Sequence, residues 1–328
     1  MPNRLSGQVA AVTGAGRGLG RAYALALAAE GAAVVVNDKG TAIDGMGADQ
    51  EPAEQVVREI VAMGGKAVAS YDDVSDFKAA GRIVEAALKN FGRLDVMIPN
   101  AGADRRGPIL DFTPEEWERT LKIHLFGSIN CAVQAGRAMR DQGRGGAITI
   151  ITSEAFYVYP RQLAPYAVSK GGTYSLMRGL AHELEPFGIS VNAISPSGRT
   201  RQTDEYTREH LARTANLTEA EIEKRLAASQ GPEVVGPLAV FLATAEGRRI
   251  TGRVFALRRD SLSMLLPPQE TLVARAPSGH WDVEELVKTV PQLVKPGLEE
   301  VPSPSQVARS GWIKAAEASA SIAERSRA

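Results

Sequence analysis

The chain has 328 residues, 44% of them hydrophobic and 23% charged, with 38 basic and 38 acidic side chains. That length buries a sizeable core in one or two domains, and a formal net charge of zero without a basic block argues against nucleic acid as a partner. The single cysteine, Cys131, excludes an internal disulfide; no apolar leader or membrane-length run is visible, so the expected setting is the cytoplasm, with no membrane partner.

Gln8–Val12 reads as a short apolar strand, followed by the glycine turn Thr13-Gly-Ala-Gly-Arg-Gly-Leu-Gly20 and an Ala/Leu-rich helix from Arg21 to Glu30. Strand, glycine turn and helix are the setting of a dinucleotide fingerprint, here spaced T-G-x-x-x-G-x-G rather than G-x-G-x-x-G. Gly14, Gly18 and Gly20 let the backbone turn tightly and approach a pyrophosphate, which the free N–H groups of the helix start attract. A second strand, Ala33–Asp38, ends in a carboxylate about twenty residues further on, where ribose hydroxyls belong. Asp38 can accept two hydroxyl hydrogen bonds and repels a 2′-phosphate, which favours NAD over NADP. Arg17 and Lys39 weigh the other way, since either can meet a phosphate. Arg17 fits equally well over the adenine or in solvent. Gly40–Pro52 is a Gly/Asp-rich segment without periodicity, read as a mobile surface loop or as a shaper of the adenosine side of the cleft.

Lys66–Tyr71 reads as a third strand, Ser75–Phe91 as a helix and Leu94–Ile98 as a fourth strand. Thr113-Pro-Glu-Glu opens a long helix to Arg140, with a capping residue, Pro in the first turn and acids at the positive dipole end. Ala147–Ile151 is a fifth strand, Pro165–Phe187 a second long helix and Ile189–Ile194 a sixth strand. This alternation predicts an α/β fold, a doubly wound, Rossmann-like parallel sheet with its ligand beyond the strand C-termini. Gly14, Asp38, Asn100 and Ser153 all fall at or just past such ends.

Tyr166-Ala-Val-Ser-Lys170 places a phenol and an ammonium four residues apart on one helix face. A free phenol titrates near pH 10, about three units from neutrality; a neighbouring ammonium lowers that value toward the working range. Ser153, at the end of the fifth strand, offers a hydroxyl to a carbonyl or alcohol oxygen. The three make a proton-transfer site on an oxygen. Alone, Tyr-x-x-x-Lys is also an ordinary helix-surface pair.

Taken in order, these motifs resemble the short-chain dehydrogenase/reductase family from about Leu5 to Leu257. The resemblance assigns the cofactor to Gly14, Gly18 and Gly20 with Arg17 and Leu19 between them, and to Asp38. It adds the adenine-contacting pair Asp73-Val74, the Asn100-Ala101-Gly102 turn, and Pro196 and Thr200 beside the nicotinamide. It makes Ser153, Tyr166 and Lys170 the catalytic set, with Tyr166 as proton donor and Lys170 on the ribose as well. Val36-Asn-Asp-Lys-Gly40 and His124-Leu-Phe-Gly-Ser128 resemble more closely the (3R)-hydroxyacyl-CoA dehydrogenase part of peroxisomal multifunctional enzymes. The implied activity is NAD(P)-dependent hydride transfer with a secondary alcohol or ketone, such as a 3-hydroxyacyl thioester or a steroid. A non-catalytic nucleotide-binding regulator, or a dehydrating or epimerising relative, is the alternative. A homodimer or homotetramer follows from the family's helix pairing, here through Leu125, Ile129, Val133, Leu176 and Leu180.

Several residues depart from the family pattern. His124 stands where an Asn usually holds a water, and either serves the same relay or lines the helix with a satisfied backbone contact. It is read as no metal ligand, because no second His or Cys lies at ligand spacing. Pro99 replaces the first Asn of N-N-A-G, and Ser197 follows Pro196 where Gly is usual. Arg199 and Arg201 are surface charges or contacts to an anionic group. Thr203–Ser229 occupies the place of the substrate loop, and Phe156, Tyr157 and Tyr159 form an apolar substrate wall or simple packing. Residues 1–259 are read as the catalytic domain and 260–328 as a C-terminal extension. That extension is interrupted by Pro267, Pro268, Pro291, Pro296, Pro302 and Pro304, with short helices at Asp282–Val290 and Gln306–Arg325.

Overall fold

The computed structural model describes residues 3–158, 162–196, 198–214, 217–227, 229–258, 261–267, 276 and 280–300. Expectations for Tyr159, Ser197, Pro268, Pro302, Pro304 and the helix Gln306–Arg325 lie outside the described residues. The chain divides into two compact units, one holding 1–157 and 161–265, the other 158–160 and 266–328.

The first unit is one eight-stranded sheet in the order β3-β2-β1-β4-β5-β6-β7-β8. Its strands are β1 Val9–Thr13, β2 Ala33–Asn37, β3 Lys66–Ser70, β4 Val96–Ile98, β5 Gly146–Ile151, β6 Ile189–Pro196, β7 Val254–Arg258 and β8 Ser261–Leu265. All neighbours pair in parallel except β7 and β8. The parallel strands are mostly apolar because helices cover both faces, and polar side chains within them, such as Thr149, Ser190, Asn192 and Ser195, are buried as well. Alternate residues of β1 divide between two cores: Ala10 and Val12 join Leu27, Ile60 and Leu238, while Val9 and Ala11 join Ile83, Cys131 and Met177.

Helices α1 Gly18–Ala29, α2 Glu51–Ala62 and α3 Phe77–Phe91 follow the first three strands. Helix α2 has no counterpart in the sequence reading. It forms because Ala53, Val56 and Ile60 line one face and are fully buried, worth about 1.5–3 kcal/mol for each large side chain. Asp76 caps α3 by accepting from Ala79 N at 2.6 Å, and Gly92, at φ 79°, ends it.

The expected helix Thr113–Arg140 is divided into α4 Pro114–Leu121, a π-helical turn Lys122–Phe126 and α5 Gly127–Gln142. Its predicted start is a complete capping box between Thr113 and Glu116. After β5 come α6 Ala155–Val158 and α7 Ala164–Leu184. The expected run Thr203–Ser229 contains α8 Arg201–Thr214 and α9 Glu219–Ala227, and α10 Gly236–Ala243 precedes β7. The stretch Glu219–Ala243 has the length and mean apolarity of a membrane span. Here it is broken at Gly231-Pro232, and Leu238, Ala239, Leu242 and Ala243 lie in the core.

Ser261–Leu265 belongs by sequence to the extension, yet it pairs antiparallel with β7 from Arg258↔Ser261 to Val254↔Leu265. In the second unit, α11 Val283–Glu300 is longer than the expected Asp282–Val290 and continues through Pro291 and Pro296. Asp282 caps it, accepting from Glu285 N at 2.8 Å.

Candidate active site

Ser153 lies two residues past β5, and its Oγ accepts from Ala155 N at 3.2 Å, which fixes the hydroxyl at the start of α6. The same hydroxyl lies close enough to the Tyr166 phenol on α7 to favour its ionised form. One turn further, Lys170 Nζ donates to the carbonyl of Ile151 at 2.8 Å and lies 5.5 Å from the centroid of the Tyr166 ring. The structure thus brings Ser153, Tyr166 and Lys170 together at the C-terminal edge of the sheet.

Burial raises the Tyr166 phenol above its ordinary value. The bond from Ser153 opposes this, as does Arg106, while Asp104 and Glu154 act in the direction of burial. Burial alone pulls Lys170 down to about 7. The sequence expectation that Lys170 lowers the phenol's pKa is therefore not met by this geometry. The ammonium is engaged by a backbone carbonyl and is only partly charged at neutral pH, so burial of the phenol prevails.

His124 sits in the π-helical turn, buried, with its ring edge-on to Tyr166 at 5.2 Å between centroids. Its Nε2 is 2.6 Å from the carbonyl of Ala103 and 3.1 Å from the N–H of the same residue, so the ring is anchored to the Ala103 backbone through Nε2, with its role there set by the tautomer. Nδ1 is buried and has no partner among the described residues. Burial first, then Lys170, lowers His124 to about 3, against a raising contribution from Ala103. Gly102 must lack a side chain here, since a Cβ would stand 2.4 Å from His124 Cε1.

On the other side of the cleft, Gly14 and Gly18 have φ of 62° and 54°, and a Cβ on Gly20 would stand 2.1 Å from Gly14 O. Among the described residues no side chain caps α1, and no acid occupies its first turn, so the N–H groups at its start remain available to an anion. Asp38 follows β2 with both oxygens fixed: Oδ2 accepts from Gly16 N and Oδ1 from Gly40 N, each at 2.7 Å. An uncapped helix start, a turn that carries no Cβ at Gly14, Gly18 and Gly20, and a fixed carboxylate beside it fit a dinucleotide, whose pyrophosphate would be held at α1 and whose adenosine ribose would be held at Asp38.

The other expected cofactor residues are placed unevenly. Asn100 stitches strand ends together, donating through Nδ2 to Thr13 O at 3.0 Å and Gly14 O at 3.3 Å, and Ala101 N donates to Thr13 Oγ1 at 3.1 Å. The carboxylate of Asp73 is engaged by Lys39 at 2.8 Å and by Ser75. Val74 packs against Gly127 of α5, with its carbonyl accepting from Asn130. Pro196 ends β6, while Thr200 caps α8 and reaches to 3.4 Å from the Cβ position of Gly18. Leu19 lies 3.3 Å from the Cβ position of Gly198.

Residues 8–211 match the short chain dehydrogenase family. The chain belongs to that family. This short-chain dehydrogenase is 33% identical over 297 residues to the hydroxyacyl-CoA dehydrogenase ChsB1 of Mycobacterium tuberculosis, covering 87% of this chain and 88% of that protein. It is 38% identical over 242 residues to the peroxisomal multifunctional enzyme type 2 of Mus musculus, covering 74% of this chain but only 30% of that longer protein. A solved short chain dehydrogenase from Mycobacterium avium superposes with a TM-score of 0.74 at 33% identity, over 88% of this chain and 95% of that one. The protein is accordingly an NAD(P)-dependent oxidoreductase acting on hydroxyl or keto groups.

Some neighbours of Tyr166 in this short-chain dehydrogenase have no counterpart in the sequence reading. Asp104 and Arg106, paired at 2.8 Å, both act on the phenol. The sequence signal for them is the charged triplet Asp104-Arg105-Arg106 directly after Asn100-Ala-Gly-Ala103. Asp104 N donates to Ile43 O at 2.8 Å, so the Gly40–Pro52 segment supports this wall. Phe156 stacks on Tyr174 of α7 at 5.0 Å, which is packing, while Tyr157 is half exposed beside it. Arg199 is held by Asp204 at 2.8 and 2.9 Å.

Proposed function

We propose that this short-chain dehydrogenase oxidises or forms the 3-hydroxyl of an acyl thioester, with NAD as its preferred partner. The observation that carries the reading is the convergence of the Ser153 hydroxyl on the Tyr166 phenol, with Lys170 one turn away on α7. The hydroxyacyl-CoA dehydrogenase and multifunctional-enzyme relatives support the thioester. The two fixed oxygens of Asp38 support NAD.

When bound, the nicotinamide accepts or gives the hydride. In the reductive sense the neutral phenol of Tyr166 gives its proton to the carbonyl oxygen as that oxygen becomes a hydroxyl, and Ser153 donates a hydrogen bond to the same oxygen; oxidation is the reverse and starts from the phenolate of Tyr166. Lys170 would hold the ribose hydroxyls. His124, neutral and anchored to Ala103 through Nε2, leaves Nδ1 to hydrogen-bond a water beside Lys170. Burial of Lys170 and partial burial of Tyr166 limit the access of bulk water to the exchanging proton.

The same proposal places the division between catalytic part and extension at about residue 260, with the sheet's last strand extending the catalytic part to Leu265, and has a homodimer or homotetramer form on α5 and α7. Light scattering that finds a monomer removes the oligomer. For the reaction, NADH formation is measured with (3R)- and (3S)-3-hydroxybutyryl-CoA, a 3-hydroxysteroid and simple secondary alcohols. Turnover of one thioester epimer above the other classes is the expected result. Preference for the steroid or the simple alcohols refutes the thioester, and dinucleotide binding without turnover of any class points to a regulator.

A further inference from the structure

Arg201 opens α8, and its Nη2 donates to the carbonyl of Thr41 at 3.0 Å. Arg17, immediately before α1, donates through Nη1 to the same oxygen at 3.4 Å. Two guanidiniums, one from each helix start, therefore converge on a single backbone oxygen. The neighbouring acids do little to neutralise them. Asp49 is 3.8 Å from Arg17 and half exposed, while both oxygens of Asp38 are already held by Gly16 and Gly40. Among the described residues no carboxylate lies within ion-pair distance of Arg201, whereas Arg199, two residues earlier, is fully engaged by Asp204. Burial and the charge of Arg17 hold Arg201 below its ordinary value, with Asp38 offsetting part of the effect. Like charges set this close, beside an uncapped helix start, are stabilised by an anion that both can reach.

We propose that Arg17 and Arg201 form a clamp for a phosphate group of the dinucleotide, and that Arg201 thereby latches α8 over the cofactor cleft. The inference rests on the cofactor reading above and adds to it a residue from the substrate side. The shared chemistry is a phosphate ester, supplied either by the pyrophosphate at α1 or by a 2′-phosphate beside Asp38. Thr200 already touches the glycine turn, and Gln202 Nε2 reaches Gly102 O at 3.5 Å. Gripping the phosphate through Arg201 would therefore fix the start of α8 against both the cofactor turn and the wall beside His124.

The test is calorimetric titration of NADH and NADPH into the full chain and into Arg201→Gln, Arg201→Lys and Arg140→Gln. Arg140 pairs with Asp141 at the end of α5 and serves as the charge control. Loss of a charge-assisted contact should weaken binding by about tenfold in Arg201→Gln, with Arg140→Gln unchanged. Equal losses for both dinucleotides assign the pyrophosphate; a loss confined to NADPH assigns the 2′-phosphate. Bound dinucleotide should also slow tryptic cleavage within α8 and α9 of the wild type and do so less in Arg201→Gln. Wild-type affinity in Arg201→Gln, or an equal loss in Arg140→Gln, overturns the clamp while leaving the cofactor reading intact. If the wild type binds neither dinucleotide, that reading fails and the clamp falls with it. Should Arg201→Gln not fold, Arg201→Lys decides: an ammonium lacks the planar fork, so binding equal to wild type overturns the proposal.

Discussion

His124 makes the acid stability of this short-chain dehydrogenase a direct readout of its active site. The imidazole is buried, its pKa falls from 6.5 to about 3, and burial is the leading cause. A folded-state value below the unfolded one means that the unfolded chain binds more protons throughout that window. Stability is then fully present above about pH 6.5 and declines as the pH falls toward 3, by up to about 1.4 kcal/mol per pH unit. Between pH 7 and pH 5 the histidine alone accounts for a loss of about 2 kcal/mol. His124→Asn removes the titrating group and keeps a side chain able to bond Ala103. Urea unfolding followed by far-UV circular dichroism at the two pH values measures the difference, which corresponds to a midpoint shift of about 1 M at a slope of about 2 kcal/mol/M. The wild type should lose about 2 kcal/mol more than His124→Asn over this interval, whatever the variant costs at pH 7. Identical pH dependence would show that the ring is charged or hydrated in the native state, and would refute the neutral relay.

Tyr166→Phe should lower kcat by about 100-fold or more, the range expected for a general acid or base, with NADH affinity retained in a calorimetric titration. Asp38→Ser should weaken NADH by about tenfold, through loss of charge-assisted bonds, and improve NADPH; because Lys39 is tied to Asp73, the relief comes from Arg17 and Arg201. A wild type that already prefers NADPH would contradict this. Asp95, almost fully buried, receives Val9 N at 2.9 Å and a bidentate contact from Arg93 at 2.6 and 2.7 Å, joining the first strand to the fourth. Asp95→Asn should cost about 3 kcal/mol in urea unfolding and leave KM of the surviving enzyme unchanged.

The parts legible in the sequence are those with a local cause. The glycine turn, the six apolar strands and the Thr113 capping box each lie within a few residues and follow from periodicity, positive φ or capping. Helix α2 is hidden because the Gly/Asp-rich segment runs up to Pro52 and masks its start, although Ala53, Val56 and Ile60 carry a helical stripe. The π-helical turn at Lys122–Phe126 is hidden for another reason: the seat of His124 against Gly102 and Ala103 is set by packing across the sheet. The same distinction governs the site. Tyr166 and Lys170 can be placed on one face from their spacing, but the bond from Lys170 to Ile151 and the burial that sets both pKa values cannot be read there. Nor does spacing separate Arg199, bound by Asp204, from Arg201, which crosses the cleft to Thr41.

The Gly40–Pro52 segment shows how these non-local terms are joined. Its length has no explanation in the sheet, since β2 and β3 are adjacent and α2 alone completes the crossover. Its backbone supplies the explanation. The carbonyl of Thr41 receives Arg17 and Arg201, and the carbonyl of Ile43 receives Asp104 N. Gly45, at φ 86°, lies where a Cβ would stand 2.8 Å from Ile123 and 3.1 Å from Ala103. One face of the segment thus meets the groups that would hold phosphate, and the other meets the backbone that seats His124 and carries the charges acting on Tyr166. Gly40 closes the segment on itself, because a side chain there would overlap the carbonyl of Asp49. A segment folded in this way is a strut between the cofactor side and the proton-transfer side, and its extra length is what lets one connection reach both.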